Sequence, residues 1–435
     1  MSNSNVSPDR YRKSGEWLAR AEQFIPLGSQ TFSKSRVSLP AGVSPLFIER
    51  GQGSHVWDAD GNEYVDFINA LLAVSLGYCD PDVDQAVRQQ MASGVSFSLP
   101  HRLEMEVAEK VVEIVPCAEK VRFGKNGSDA TAGAIRISRA YTGRDHVAVC
   151  GYHGWQDWYI GSTTRDLGVP RATKDLTHKF AYNDIQSLEA LFGQYPGQIA
   201  AVILEPMNVF WPAPGFLQEV QSLTRKNGAI LVFDETITGF RYSLGGAQEL
   251  FGVTPDLATF GKGVANGYPI AFVAGRSDIM KLMEEVFFSF TFGGETLSLA
   301  ATKAVLEKLQ REPVLQTIKA TGEKILAGVG QLIEKHGLRD VCSLAGHPAW
   351  SFFIIKDTPR YNSYELKTLY LQEMFARGLL INGTHNISYA HGAGDVSRLL
   401  KAYDEVLPML KSALDSGSLL ELLRCEPLKP LFKVR

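Results

Sequence analysis

The stretch AILVFDE, residues 229–235, and the stretch LATFGKG, residues 257–263, decide the fold class of this chain. Each is a short apolar run that ends in polar residues, Asp234 and Glu235 in the first and Lys262 in the second. Such runs are typical of strands buried on both faces, as in a parallel sheet. Because ligands of these sheets bind at the carboxyl ends of the strands, the two stretches predict chemistry around Asp234 and Lys262.

Runs of the same kind lie on both sides of these stretches and alternate with helical patterns. This alternation predicts an α/β domain with a largely parallel sheet. Further strands are predicted at 121–123, 146–150, 199–204 and 270–274, with helices at 128–141 and 216–226. Outside this series, the patterns predict a hairpin over 54–67, a strand at 349–355, and helices at 15–24, 82–92, 101–115, 299–308, 315–336, 361–377 and 396–414.

The pattern changes after about residue 300, where long helices predict a smaller α+β domain. We therefore expect a large α/β domain over residues 71–305 and a small domain over residues 306–435. The N-terminal segment 1–70 is expected to be part of the small domain. A chain of 435 residues is long enough for this division, since single cores stop growing beyond about 250–300 residues.

The composition of the chain indicates which kinds of partner to expect. The net charge is −3 with no block of Lys or Arg, which favours a small-molecule substrate over nucleic acid. No run approaches the roughly 18 apolar residues of a membrane span, and residues 1–20 show no signal peptide. The five cysteines form no C-x-x-C pair, which favours reduced thiols in a cytoplasm. The nine histidines show no H-E-x-x-H spacing, so no metal site is predicted.

The stretch GKNGSDA, residues 124–130, joins a predicted strand to a predicted helix. Its glycines allow close approach of the backbone, and the N–H groups at a helix N-terminus attract an anion. The stretch therefore indicates a phosphate site. The alternative is a plain capped turn, with Ser128 or Asp129 as the cap.

Asp234 and Lys262 each have a functional and a structural interpretation. A buried carboxylate needs a partner, and the N–H of a pyridinium ring would serve. The alternatives are a structural ion pair or a metal ligand. Lys262 has glycine on both sides, and partial burial would make its amine nucleophilic for Schiff-base chemistry. The alternative is an ordinary solvated lysine.

The stretch GYHGW, residues 151–155, follows the predicted strand at 146–150. Its aromatic side chains suit stacking on a flat ring. The alternative is an aromatic plug that only fills the loop.

The order and spacing of these stretches resemble the class III (subgroup II) aminotransferases, which depend on pyridoxal 5'-phosphate (PLP) and have fold type I. Within that family the chain is most similar to the glutamate-1-semialdehyde 2,1-aminomutase branch. The resemblance runs from about residue 24 to about residue 410. It also includes WDADG at 57–61, YVDF at 64–67, LGY at 76–78 and DETITGFR at 234–241. It implies a large domain with a mostly parallel, seven-stranded type of sheet and a smaller α+β domain.

The resemblance implies a role for each matching residue. Lys262 would bind PLP covalently and then move protons between the substrate and the cofactor. Asp234 would pair with the ring nitrogen, and Asn126, Gly127 and Ser128 would bind the phosphate. Further roles are implied for Tyr152 and Thr236 on the two ring faces, and for Glu205 near the ring hydroxyl.

The segment 289–294 resembles the one with which the family reaches into the neighbouring subunit. Thr291 would then bind the phosphate of the partner's cofactor. The resemblance therefore implies a homodimer with shared active sites.

The match fails on the substrate side. Lys34 stands where the aminomutase has an arginine for the substrate carboxylate, and lysine lacks the bidentate fork. Three further positions depart from the family: Leu71 for a tryptophan, Gly383 for a glutamate and Glu295 for an asparagine. We hypothesise that Lys34, His385 and Asn386 contact the substrate. A keto or aldehydo sugar is one hypothesis for that substrate, and a simple amino acid is another.

We therefore predict an aminotransferase that acts on small amines and small aldehydes or ketones. An isomerase of the same scaffold, either an aminomutase or a racemase, is the second interpretation. A homologue that binds PLP without catalysis is the third, and the complete set of cofactor residues argues against it.

Overall fold

A computed structural model of the chain describes residues 10–430. Residues 1–9 and 431–435, at the ends of the predicted segments 1–70 and 306–435, lie outside that part. The described chain forms two compact units. The α/β unit consists of Leu72–Ser75 and Asp80–Leu315, and the terminal unit consists of residues 10–71, Leu76–Cys79 and residues 316–430. The three-segment division from the sequence stays a prediction.

The strands and the longer helices are numbered in chain order. The strands are β1 Ile48–Gln52, β2 His55–Asp58, β3 Glu63–Asp66, β4 Lys120–Gly124, β5 His146–Cys150, β6 Thr177–Lys179, β7 Ile199–Leu204, β8 Ile230–Asp234, β9 Leu257–Phe260, β10 Ala271–Gly275, β11 Cys342–His347, β12 Trp350–Ile355, β13 Leu379–Leu380 and β14 Thr384–Asn386. The helices of ten or more residues are α1 Arg12–Ala21, α2 Pro81–Met91, α3 Arg102–Ile114, α4 Gly127–Thr142, α5 Ile185–Gln194, α6 Phe216–Lys226, α7 Thr296–Arg311, α8 Val314–Lys335, α9 Ser363–Ala376 and α10 Ala393–Ser416. Short helical turns lie at Pro26–Gly28, Phe32–Lys34, Asp157–Ile160, Arg171–Lys174, Ala247–Phe251, Lys262–Ala265, Ser277–Met280, Lys281–Glu284 and Leu419–Leu422.

A seven-stranded sheet is the centre of the α/β unit, in the order β4-β10-β9-β8-β7-β5-β6. The pairs β9-β8, β8-β7, β7-β5 and β5-β6 are parallel, and β10 runs antiparallel to both of its neighbours. The predicted fold, a largely parallel sheet of an α/β domain, is confirmed. Every residue of β7, β8, β9 and β10 is buried.

Three predicted strands, at 146–150, 199–204 and 257–260, coincide with β5, β7 and β9. Their apolar runs predicted them well, because a strand buried on both faces requires apolar residues at every position. The edge strand β6 was not predicted, since Thr177–Lys179 carries two polar residues and a lysine.

The terminal unit contains two further sheets. The predicted hairpin is present as the antiparallel pair β2-β3, within a four-stranded sheet of order β1-β2-β3-β13. The second sheet is antiparallel, with order β11-β12-β14, and α9 packs on both β12 and α10. In the part of the chain that the structure describes, none of the helices has the length and apolarity to cross a membrane.

The residues after β3 form a left-handed turn, which the sequence did not predict. Asn69, Ala70 and Leu71 have φ of 47°, 49° and 59°. Such a conformation costs about 1–2 kcal/mol for each residue that has a Cβ. The turn therefore needs support, and Asp66 gives part of it: Oδ1 accepts hydrogen bonds from the N–H groups of Ile68 (2.7 Å) and Asn69 (3.0 Å).

Candidate active site

Four segments of the α/β unit meet at the carboxyl ends of its strands: the start of α4, the loop after β5, the end of β8 and the turn after β9. Close approach at three glycines joins them. A Cβ added at Gly127 would lie 3.1 Å from Cγ2 of Thr236, and one added at Gly261 would lie 3.4 Å from that atom. A Cβ at Gly154 would collide with Oγ of Ser128. The structure therefore brings the predicted cofactor residues of these segments together.

The N-terminus of α4 is capped by Asn126. The side-chain oxygen of Asn126 accepts a hydrogen bond from the N–H of Asp129 (3.1 Å), and Oδ2 of Asp129 accepts one from the N–H of Asn126 (3.0 Å). The alternative that Ser128 is the cap was wrong, because the helix begins at Gly127 and the cap is the residue before it; Asp129 takes part as the reciprocal member of the capping box.

Ser128 lies in the first turn of α4 and is buried. Its Oγ accepts a hydrogen bond from the N–H of Trp155 (3.1 Å), so its own hydroxyl proton remains for another acceptor. The free N–H groups of a helix's first turn point the same way and attract an anion. The arrangement can therefore hold a phosphate.

Asp234 ends β8 and is almost completely buried. Its Oδ2 is 2.8 Å from Nδ1 of His153, and its Oδ1 accepts hydrogen bonds from the N–H of Thr236 (3.1 Å) and Oγ1 of Thr259 (3.2 Å). Burial by itself raises the pKa of a carboxyl group, but the hydrogen bonds from His153 and Thr236 outweigh it and hold the pKa of Asp234 below its usual value. The carboxylate is therefore ionised in the folded protein.

His153 is the functional residue that the sequence did not predict. Because Asp234 is ionised and can only accept, Nδ1 of His153 must carry the proton that joins them. The carbonyl oxygen of His153 also accepts a hydrogen bond from Oγ1 of Thr131 (2.8 Å), which ties the loop to α4. A signal was present in the sequence: His153 follows one buried strand as Asp234 ends another, and such strand ends meet at one sheet edge.

Lys262 begins the helical turn Lys262–Ala265, directly after β9. Its φ is 46°, a left-handed conformation that is rare for any residue with a Cβ. Strained residues of this kind cluster at functional sites. The next residue is crowded too, since a Cβ at Gly263 would collide with Oγ of Ser75.

Tyr152 and Glu205 lie side by side at the ends of β5 and β7. Oε2 of Glu205 accepts hydrogen bonds from the N–H of Tyr152 (2.9 Å) and from Nδ2 of Asn208 (2.7 Å). Tyr152 is 38% exposed. A cavity of about 490 Å³ is lined in part by Glu205 and Asn208. It is lined mainly by apolar and aromatic residues, among them Cys150, Phe180, Tyr182, Val209 and Phe210.

Thr291 is exposed in the segment before α7. No hydrogen bond between described residues joins its side chain to the residues above. Two aromatic neighbours in the segment are exposed as well, Phe290 at 38% and Phe292 at 58%.

The predicted substrate residues lie in the terminal unit. Lys34 is exposed on the turn Phe32–Lys34. His385, in contrast, is completely buried on β14, where Nδ1 is 2.9 Å from Oγ of Ser351 and Nε2 is 2.9 Å from the hydroxyl of Tyr403. Burial lowers the pKa of His385 to about 3, so the ring is neutral. Since both ring nitrogens are occupied, this geometry favours a structural role for His385.

Asn386 is also buried, and it supports the left-handed turn. Its Nδ2 donates to the carbonyl oxygen of Ile68 (2.7 Å), and its own carbonyl oxygen accepts from Nδ2 of Asn69. Asn386 therefore fixes the backbone beside Leu71.

The family model described as Aminotransferase class-III matches residues 38–390 of the chain. Two curated relatives are equally similar to it. A 3-aminobutyryl-CoA aminotransferase of Cloacimonas acidaminovorans is 35% identical over 404 residues, which is 91% of this chain and 96% of the relative. A glutamate-1-semialdehyde 2,1-aminomutase of Syntrophomonas wolfei is 35% identical over 428 residues, 92% of this chain and 98% of the relative.

Solved structures agree with these matches. The FumI protein of Sphingopyxis sp. MTA144, in its PLP internal aldimine form, is 28% identical, with a TM-score of 0.86 over 96% of this chain and 98% of its own. An omega-transaminase from Sphaerobacter thermophilus is 28% identical, with a TM-score of 0.83 over 92% and 99%. This chain therefore belongs to the class III aminotransferase family.

Proposed function

We propose that this PLP-dependent aminotransferase moves an amino group between a small amine and a small aldehyde or ketone, with Lys262 as the residue that carries the cofactor. The observation that carries the proposal is the buried, ionised Asp234 at the end of β8. It lies in the same cluster of segments as the N-terminus of α4 and the turn that begins with Lys262.

The residues present fit PLP. A carboxylate offers about four lone-pair positions, and Asp234 uses three of them for His153, Thr236 and Thr259. One acceptor position is left for the N–H of a protonated ring. Oγ1 of Thr236 is buried and has no hydrogen-bond partner among the described residues, which suits a position against a bound ring.

Each residue has a physical task in the transfer. When bound, PLP supplies an electron sink for the bonding electrons at the substrate Cα. Asp234 keeps a proton on the ring nitrogen, because an ionised partner stabilises the positive charge there. The α4 N-terminus, with Asn126, Gly127 and Ser128, binds the phosphate. Nζ of Lys262 would take the proton from the substrate Cα and deliver it to C4′ of the bound cofactor.

Further contacts orient the ring. Tyr152 is proposed to cover one face and Thr236 the other, and Glu205 is proposed to lie near the ring hydroxyl. The hydrogen bond from the backbone N–H of Tyr152 supports the place of Glu205, because it joins the Glu205 carboxylate to the loop that carries Tyr152.

The sugar hypothesis for the substrate has lost support, since both ring nitrogens of His385 are bonded within the terminal unit. A mainly apolar cavity lined in part by Glu205 would instead suit a small carbonyl compound with an apolar substituent. An aminomutase remains the second candidate, because one of the two relatives at 35% identity is a glutamate-1-semialdehyde 2,1-aminomutase. Turnover of a single substrate without a separate amino acceptor would identify that reaction.

We also propose a homodimer with shared active sites, to which Thr291 contributes across the interface. Exposed Phe290 and Phe292 support it, since exposed apolar patches mark contact sites. A cytoplasmic location is proposed too, supported by five cysteines that are all free.

The test is an absorbance spectrum of the purified protein before and after a panel of amines is added. We expect the visible band of lysine-bound PLP, and we expect one class of amine to remove it. Lys262→Ala should abolish the band and the transfer, whereas Lys226→Ala, at an exposed helix end, should keep both. A wild-type protein that shows no such band after PLP is added would refute the proposal.

A further inference from the structure

Lys125 is a cation in the loop that precedes the predicted phosphate site, and its amine is already bonded to other side chains. Its Nζ lies 2.9 Å from Oε2 of Glu295 and 3.4 Å from Oγ of Ser298. The pair is mostly buried, with 19% of the Lys125 side chain and 14% of the Glu295 side chain exposed. A lysine beside an anion site is usually expected to bind the anion itself. Here the amine is directed toward another carboxylate.

Glu295 is fixed as firmly as Lys125. It is the N-cap of α7, where Oε1 accepts from the N–H of Leu297 (2.6 Å) and Oε2 accepts from the N–H of Ser298 (3.2 Å). Burial raises the pKa of a glutamate, but the bonds from Ser298 and Lys125 outweigh it and keep the pKa of Glu295 below its usual value. The ion pair therefore joins two rigid elements, the start of α4 and the start of α7.

We propose that Lys125 and Glu295 are a positioning pair: together they hold the loop of residues 124–126 so that the α4 N-terminus faces the PLP phosphate, and Lys125 is not itself a phosphate ligand. The inference rests on the proposed function, since it concerns the cofactor of that site.

The physical reason is local. Asp129 already holds the backbone N–H groups of Lys125 and Asn126, each at 3.0 Å, and the ion pair to Glu295 also ties this loop to α7. The ammonium also lies beside the positive end of the α4 dipole, an unfavourable position that the Glu295 carboxylate offsets. Removal of either partner leaves the other as a mostly buried charge without its counterion.

The experiment measures the dissociation constant of PLP, by absorbance titration, for Lys125→Met, Glu295→Gln and the double variant. The first change removes a positive charge near the phosphate and the second removes a negative one. A purely electrostatic role therefore shifts affinity in opposite directions, whereas a positioning role weakens it in both. The double variant keeps the net charge and reports positioning alone.

We expect the dissociation constant of PLP to rise by roughly threefold to tenfold in all three variants. The rise in the double variant should not exceed the rise in either single variant, because both single changes break the same ion pair. The control is the pair Lys303 and Glu106, which joins α7 to α3 with an Nζ–Oε2 distance of 2.6 Å. Lys303→Met and Glu106→Gln should leave PLP affinity unchanged.

Two results would overturn the inference. Weaker binding in Lys125→Met together with tighter binding in Glu295→Gln would show that the pair acts on the phosphate through its charges and does not position the loop. Unchanged affinity in all three variants would make the pair irrelevant to the site. Failure of the wild-type protein to bind PLP is a different result, and it would refute the proposed function instead.

Discussion

Two groups of buried polar residues, one in each unit, differ in what surrounds them. At the strand ends of the seven-stranded sheet, Asp234 is held by three hydrogen bonds, and Oγ1 of Thr236 keeps no partner among the described residues. On the three-stranded sheet, His385 has both ring nitrogens bonded, to Ser351 and to Tyr403. Both groups are buried and polar, but the ring of His385 has no binding capacity left, whereas Thr236 keeps an unused hydroxyl.

The location within each sheet explains the difference. Strand ends are bordered by loops, which leave space beside them. His385 lies under a helix instead, because Tyr403 comes from α10 and its hydroxyl is 2.7 Å from that of Tyr370 on α9. Burial of a polar side chain therefore identifies a functional site only when some of its hydrogen-bonding capacity stays unused.

The largest expected effect is at the end of β8. Asp234→Asn keeps the size of the side chain but removes the charge that stabilises a protonated ring. We expect kcat/KM for amino transfer to fall by about two to three orders of magnitude. Steady-state kinetics with the amine found in the spectral screen would measure it. Activity within a factor of ten of the wild type would show that Asp234 only has a structural role.

His385→Ala tests the other side of the comparison. It leaves the buried hydroxyl of Ser351 without this partner, at a cost of roughly 1–3 kcal/mol, whereas Tyr403 keeps its hydrogen bond to Tyr370. We expect a lower free energy of unfolding in denaturant, and kcat and KM close to those of the wild type. A raised KM with unchanged stability would instead restore the substrate role that the sequence suggested for His385.

His153→Phe tests, through the pH dependence of activity, whether His153 keeps Asp234 ionised. The pKa of Asp234 is lowered in the folded state, so its contribution to stability is present above the usual carboxyl pKa and is lost as pH falls through the lowered value. Without the His153 bond, burial dominates and raises the pKa of Asp234.

We therefore expect the acid limb of the pH profile of kcat/KM in His153→Phe to move to higher pH. At pH values above this limb, kcat/KM should change less. His146→Phe is the control, because His146 is bonded to His178 rather than to Asp234. Equal acid limbs in the wild type and His153→Phe would contradict this role for His153.

The smallest expected effect is at Lys34, which is exposed and therefore screened by solvent. Lys34→Met should raise KM for an amine that carries a carboxylate by roughly threefold to tenfold. The free energy of unfolding should stay the same. An uncharged amine serves as the control substrate, since its KM should not change. Equal effects on both amines would exclude a carboxylate contact by Lys34.

The sequence by itself determined the α/β fold and the place of its chemistry. Apolar runs located β5, β7 and β9 at their observed bounds, because a strand buried on both faces tolerates few polar residues. The same runs placed Asp234 and Lys262 at strand ends, where parallel sheets bind ligands. Spacing and residue type sufficed for these predictions, since they depend on local pattern.

Only the tertiary structure decided which polar residues pair. His153 and Asp234 are 81 residues apart in the chain, and Lys125 and Glu295 are 170 apart. The same holds for His385, whose partners Ser351 and Tyr403 come from β12 and α10. Each pairing is decided by distances of about 3 Å between segments remote in sequence. Such distances are fixed by how helices and strands pack, and no local pattern of residues encodes them.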